Sequence, residues 1–122
     1  MNVTTRFALC AAVLLASTPS FACDYPQRPA VPDGSTATKE QMLTAKNDVQ
    51  AFLGAVDEYL HCVEADAKAA LDALDDPAPE EVKRREDLLN KKFDAANEEK
   101  ALIGEQFNQQ VRAYNAKRKA AE

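Results

Sequence analysis

The chain has 122 residues, of which 20 are acidic and 15 are basic, so its formal net charge is −5 at pH 7. This length allows one small domain and leaves no room for separate substrate and cofactor domains. The acidic balance argues against nucleic-acid binding, which depends on clustered basic residues. The chain has three glycines and no tryptophan. Because helix-forming residues dominate its second part, the composition predicts an all-α protein.

Residues 1–22 have the pattern of a secretory signal peptide. One basic residue, Arg6, precedes an apolar run over residues 7–16, and small residues surround Ala22. The run is too short to remain as a membrane anchor, so we expect cleavage between Ala22 and Cys23. The mature chain is then expected to be periplasmic or secreted, with no transmembrane helix.

Cleavage would also remove Cys10 and leave Cys23 and Cys62 as the two cysteines of the mature chain. An even pair in an exported protein favours a disulfide bond. The alternative is a lipoprotein in which the Cys23 thiol is acylated and Cys62 is unpaired. The three residues before Cys23 lack the leucine expected of a lipoprotein signal, so we expect no lipid anchor.

Residues 23–37 are expected to form an extended arm, rich in proline. The prolines are three residues apart and are Pro26, Pro29 and Pro32. This spacing is typical of a polyproline-like segment, and Asp33 with Gly34 favours a turn. If the chain reverses there, the arm is long enough to lie antiparallel along the first helix and to reach Cys62. The arm would then cover one side of the helices as a third layer.

Two long helices are predicted after the arm, over residues 38–74 and 80–118, with a turn at 75–79. Thr38 and Gln41 match a capping box at the start of the first helix. Two prolines in the turn end that helix and favour the start of the second. The predicted fold is therefore all-α, a long coiled-coil-like antiparallel hairpin of two helices over residues 38–122 with the arm at its N-terminus.

Each predicted helix carries one apolar stripe, because its apolar residues recur every three or four positions. The first stripe is Met42, Val49, Leu53, Val56, Leu60, Val63, Ala67, Ala70 and Leu74, with Phe52, Tyr59 and Leu71 at its edges. The second is Val82, Leu89, Phe93, Ala96, Ile103, Phe107, Val111 and Tyr114. Lys100 interrupts it and is expected to keep its ammonium in water. Gly54 and Gly104 weaken the helices and are candidate positions for a bend.

No catalytic residue is expected. Ser35 is the only serine after residue 22, and the carboxylates fall on polar helix faces. The one candidate metal cluster is His61 with Cys62 and the neighbouring acidic residues Asp57, Glu58 and Glu64. It is incomplete if Cys62 is oxidised, because a disulfide sulfur is not a thiolate ligand. We therefore predict no metal site, no cofactor and no enzymatic activity, and keep a small metal-binding protein as an alternative.

The expected function is non-enzymatic: protein interaction or a structural role in the cell envelope. A hairpin leaves apolar edges exposed, so the stripe is expected to bind a protein partner or a second copy of the chain. An alternative of the same kind is a periplasmic holdase-type chaperone, which would hold unfolded clients against the hairpin.

Several short motifs resemble small uncharacterised exported proteins of Gram-negative bacteria. The motifs are Cys23-Asp24-Tyr25-Pro26, Arg28-Pro29, Pro32-Asp33-Gly34, Ala37-Thr38, Met42, Tyr59-Leu60 and Cys62. They cover residues 23–62. This resemblance implies export and pairing of the two cysteines, and it implies no activity.

Overall fold

The computed structural model describes residues 23–122, and the predicted signal peptide with its cleavage residue Ala22 lies outside them. In the described part the chain forms two helices and no strand, which confirms the all-α prediction. Helix α1 spans Lys39–Asp72 and helix α2 spans Pro79–Ala120. They pack against each other, and the short connection at residues 73–78 makes them antiparallel. The predicted helix ends differ from these bounds by one or two residues.

The local sequence explains where each helix begins. The Thr38 hydroxyl accepts a hydrogen bond from the Gln41 backbone N–H at 3.2 Å, and the Gln41 side chain accepts one from the Thr38 N–H at 2.8 Å. This is the predicted capping box. Helix α2 begins at Pro79, which needs no hydrogen-bond partner in a first turn. Asp76 takes a left-handed conformation in the connection, with φ of 50°, and turns the chain between the helices.

The core follows the helix seam along most of the hairpin and stops short of the connection. Its buried residues are Met42, Ala45, Val49, Phe52, Val56, Leu60 and Val63 of α1 and Ala96 and Ile103 of α2. The predicted first stripe is wrong at two places. Phe52 lies in the core at 4 % exposure rather than at the edge, whereas Ala70 and Leu74 are exposed. Phe52 is buried because the Tyr25 ring of the arm packs against it. The described arm begins at Cys23, beside Cys62, and does not reach Ala70, whereas Leu74 lies beyond the end of α1.

Residues 23–38 contain a turn at residues 34–36 and no helix or strand, and they lie along the hairpin. The Tyr25 ring is edge-on to the rings of Tyr59 and Phe52, with centroid distances of 5.0 and 6.4 Å. Further along the arm, the Arg28 side chain forms an ion pair with Glu99 of α2, with 2.6 Å between Nε and Oε1. Val31 packs against the core. The chain therefore runs antiparallel to α1 and contacts both helices.

The turn after this segment sits directly on α2. The Gly34 N–H donates a hydrogen bond to the Gln110 side-chain oxygen at 2.9 Å. The Lys117 ammonium donates one to the Ala37 carbonyl at 2.9 Å. A Cβ atom at position 34 would overlap the Gln110 carbonyl oxygen and lie 2.9 Å from the Tyr114 backbone nitrogen. Gly34 has no positive φ, so glycine is needed here for the close approach of two backbones.

Three positions singled out in the helix sequences are Gly54, Gly104 and Lys100. Gly54 and Gly104 lie within continuous helices, and neither interrupts its helix. The Lys100 ammonium donates a hydrogen bond to the Asp57 carboxylate of α1 instead of facing water alone. Within residues 23–122, neither helix has an apolar stretch long enough to cross a membrane.

Candidate binding groove and the cysteine pair

The two cysteines of the described chain are paired as a disulfide between the start of the arm and the middle of α1. Their Cα atoms are 5.8 Å apart, and their sequence separation is 39. The Cys23 sulfur lies 3.2 Å from an Asp66 carboxylate oxygen. A disulfide sulfur carries no proton, so this is a contact and not a hydrogen bond. The bond fastens the arm to the hairpin.

The structure groups potential metal ligands differently from the sequence. Cys23, Cys62 and Asp66 place ligand atoms within 4.8 Å of one another. The two sulfurs are bonded to each other, however, and therefore offer no thiolate. In the described part of the chain, His61 belongs to no group of three such ligands. It is exposed on α1, so the structure does not bring the alternative cluster of His61 and its acidic neighbours together as a group of metal ligands.

Ser35, the only serine after residue 22, has a local structural role. Its hydroxyl and its backbone N–H both donate to the Asp33 carboxylate, at 2.7 and 2.9 Å. These two bonds lower the pKa of Asp33 because they favour its charged form. Together they hold the turn that brings Gly34 to α2.

Two other perturbed side chains belong to surface or arm contacts. Hydrogen bonds from Arg84 and Arg85 lower the pKa of Glu81 to about 2. Burial, followed by the negative charge of Glu99, raises the pKa of Tyr25. Neither group faces a nucleophile or an enclosed cavity, so both perturbations are explained by packing and ion pairing.

The side of the hairpin away from the arm is open and forms a groove of about 630 Å³, which we call the apolar groove. Its apolar lining is Met42, Leu43, Val49, Leu53, Phe107, Val111 and Tyr114. At 100° per residue, the α1 residues of the groove and those that contact the arm lie on opposite sides of the Val49–Val56 row. One face of the seam is therefore covered by the arm and the other is uncovered.

The charged residues that line the apolar groove are all basic. They are Lys39, Lys46 and Arg118. Helix α1 has seven acidic and three basic residues, yet two of those basic residues and none of the acidic ones line the groove. Beyond its inner end, one helical turn past Leu53, the Asp57–Lys100 ion pair bridges the two helices. The groove thus has an apolar floor and a basic rim.

The predicted apolar stripes include most of the apolar floor but not Leu43, and the sequence analysis did not predict the basic rim. The spacing of residues in α1 does contain this information. The residues Lys39, Leu43, Lys46 and Leu53 recur at intervals that place them on one face of the helix. What the spacing could not indicate is that the arm would cover the opposite face.

Comparison with known proteins gives no match: no protein-family model matches the chain, and neither does any curated protein or solved structure. The functional argument therefore depends on the geometry of the chain itself.

Proposed function

We propose that the mature chain is an exported, non-enzymatic protein of the cell envelope that binds a protein partner through the apolar groove. The observation that carries this proposal is the groove itself, which is apolar, uncovered and lined by both helices. Export is supported by the signal-peptide pattern of residues 1–22. It is also supported by the cysteine pair, since disulfides persist in oxidising compartments.

Interaction is favoured over a purely structural role because the groove leaves a large apolar side chain in water. Leu43 is 50 % exposed and adjoins the other apolar residues of the groove. A contiguous apolar surface of this kind, bordered by charged residues, is typical of a binding face. A helical hairpin that served only as a spacer would not need an exposed apolar surface.

The first test uses 1-anilinonaphthalene-8-sulfonate, a dye that fluoresces on apolar surfaces and carries one negative charge. We expect the folded protein to bind it and Leu43→Glu to weaken binding about tenfold, since a buried leucine contributes about 1.5 kcal/mol or more. The matched control is Leu102→Glu, because Leu102 is similarly exposed at 46 % and does not line the groove. Absence of dye binding, or equal binding by the two variants, would contradict the proposal.

Export and the cysteine pair are tested by the intact mass of the protein recovered from the periplasm of a Gram-negative host. We expect a chain that starts at Cys23, is lighter by two hydrogens than the reduced form, and is alkylated twice only after reduction. A heavier species with a diacylglycerol adduct would instead show a membrane-tethered protein with a free Cys62.

A holdase function is the second candidate, because Leu88 and Leu102 are also exposed, at 48 % and 46 %, outside the groove. Several separate apolar positions would suit unfolded clients of varied sequence. A holdase function predicts that the protein suppresses aggregation of an unrelated unfolding protein at a near-equal molar ratio. No suppression at that ratio would exclude it and leave the groove proposal intact.

A further inference from the structure

We infer that the occupant of the apolar groove is an acidic amphipathic helix of a partner protein. This inference rests on the proposed function, since it specifies the partner of the same surface. Three properties of the groove carry it: its shape, the sign of its charge and the mismatch of that charge with a second copy of the chain.

The shape favours a helix. On α1 the groove extends from Lys39 to Leu53, a length of about 21 Å or four turns. It is open along its side, whereas pockets for small ligands enclose most of the ligand surface. An amphipathic helix fits an open groove because it buries one apolar face and leaves the other in water. Docked there, it would complete a three-helix arrangement opposite the arm.

The charge favours an acidic partner. Lys39 and Lys46 are seven residues apart on the α1 rim, which places them two turns or about 10 Å from each other. Arg118 lies on the α2 rim, and no acidic residue lines the groove. A docked helix with carboxylates two turns apart on one edge would face the two lysines, and a carboxylate on its other edge would face Arg118.

The same charges disfavour the other available occupants. Two copies joined groove to groove by a twofold axis would bring the same basic rim from each copy to one interface, where like charges repel. Residues 1–22 contain one charged residue, Arg6, which is also basic. A groove-to-groove dimer places no carboxylate of the groove lining opposite the rim, and residues 1–22 contain no carboxylate side chain.

The test measures fluorescence anisotropy of two labelled synthetic helices of about 18 residues, a length at which isolated helices can form. Both carry leucines at positions i, i+3, i+4 and i+7. One has glutamates on both edges of this face, and the other has lysines. We expect the mature protein to bind the glutamate helix about tenfold or more tightly than the lysine helix, and we expect added salt to reduce the difference.

The variant Lys46→Glu should weaken binding of the glutamate helix and strengthen binding of the lysine helix. Lys91→Glu is the matched control, because Lys91 is an exposed lysine of α2 that does not line the groove. Circular dichroism of both variants verifies that the fold is retained. Equal affinity for the two helices, or the same response to both variants, would overturn the inference.

The remaining outcomes separate this inference from the proposed function. Tighter binding of the lysine helix, abolished by Leu43→Glu, would overturn the acidic partner and retain a protein-binding groove. Displacement of the dye by dodecanoate with no peptide binding would overturn both, since the occupant would then be a lipid. A dimer in sedimentation that Leu43→Glu dissociates would assign the groove to a second copy. Absence of dye binding would remove the groove as a binding surface altogether.

Discussion

Position 34 shows how one residue decides the distance between the arm and α2. With glycine there, the turn lies against the α2 backbone, and the Gly34 N–H reaches the Gln110 side chain at 2.9 Å. A methyl group would meet backbone atoms of Gln110 and Tyr114, which cannot move aside as a flexible side chain could. The aspartate and serine beside Gly34 fix the turn locally, but glycine permits its docking.

We expect Gly34→Ala to lower the free energy of unfolding by about 1–3 kcal/mol, because overpacking forces the two backbones apart. The matched control is Gly54→Ala, where an added Cβ meets nothing within 4 Å. Alanine there should raise stability by up to about 1 kcal/mol, since it favours the helix. Thermal unfolding followed by circular dichroism measures both. Equal effects at the two positions would contradict the close approach at Gly34.

A second residue-scale prediction concerns Glu81. Its pKa falls from an ordinary 4.5 to about 2 because Arg84 and Arg85 donate hydrogen bonds to it. A carboxylate whose pKa is lower in the folded than in the unfolded state adds stability above the unfolded pKa, and this is lost as the pH falls to the folded pKa. We therefore expect the Glu81 contribution to disappear between about pH 4.5 and pH 2.

The melting temperatures of the original protein and of Glu81→Gln are compared at several pH values in low salt. The contribution is small because the site faces solvent, and salt should reduce it further. Glu98→Gln serves as the control, since Glu98 is an exposed glutamate of the same helix. If the melting temperatures of the original protein and Glu81→Gln fall in parallel below pH 4.5, the ion pair makes no contribution.

At the scale of the elements, the disulfide and the arm stabilise the hairpin together. Two helices alone leave both faces of their seam in water, and small scaffolds usually need a further constraint. Tyr25 and Val31 of the arm cover one face. The disulfide fastens Cys23, the first residue of the arm, to Cys62 of α1. Without the bond, the arm would be held by a few side-chain contacts, the Arg28–Glu99 ion pair and two hydrogen bonds of its turn with α2.

We expect replacement of Cys23 and Cys62 by serine to lower the free energy of unfolding by about 3–4 kcal/mol, because the open chain regains the entropy of a long loop. Urea denaturation measures the change, and reduction of the original protein should reproduce it. The serine variant should be insensitive to reductant, which makes it the control for side effects of reduction. Coincident denaturation midpoints for the two proteins would show that the arm is not held by this bond.

At the scale of the whole molecule, the buried core stops short of the connection between the helices. Between residues 64 and 88 the described chain has no buried side chain and no apolar side chain packed against the core. The core instead joins the part of α1 up to Val63 with Ala96 and Ile103 of α2. Helix length alone does not provide tertiary stability, since most of it comes from packing of an apolar face.

We therefore expect amide hydrogen exchange to divide the hairpin into two parts. Helical residues between 64 and 88 should be protected at least about tenfold less than residues 49–63 and 96–103, because their local opening does not disrupt the core or the side chains packed against it. Mass spectrometry of peptides from the exchanging protein resolves the two parts. Uniform protection along both helices would show that the connection stabilises the hairpin as much as the core does.

Much of the fold follows from local patterns that the chain carries by itself. The capping box at Thr38 and Gln41, the prolines between the helices and the three-four spacing of apolar residues predict the two helices and their antiparallel order. Each of these features depends on residues a few positions apart, so the amino-acid sequence alone is enough to detect it. The cysteine count and the expected export also follow from the sequence alone, because both depend on composition and on the order of residues.

Only the tertiary structure decides which side of each stripe is buried. The arm could have covered either face of the seam, and its contacts with Phe52 and Tyr59 select one of them. That choice makes Phe52 a core residue, leaves Leu43 in water and gathers Lys39, Lys46 and Arg118 around the uncovered groove. Periodicity shows which residues share a helix face. Which face is open depends on contacts between residues far apart in the chain.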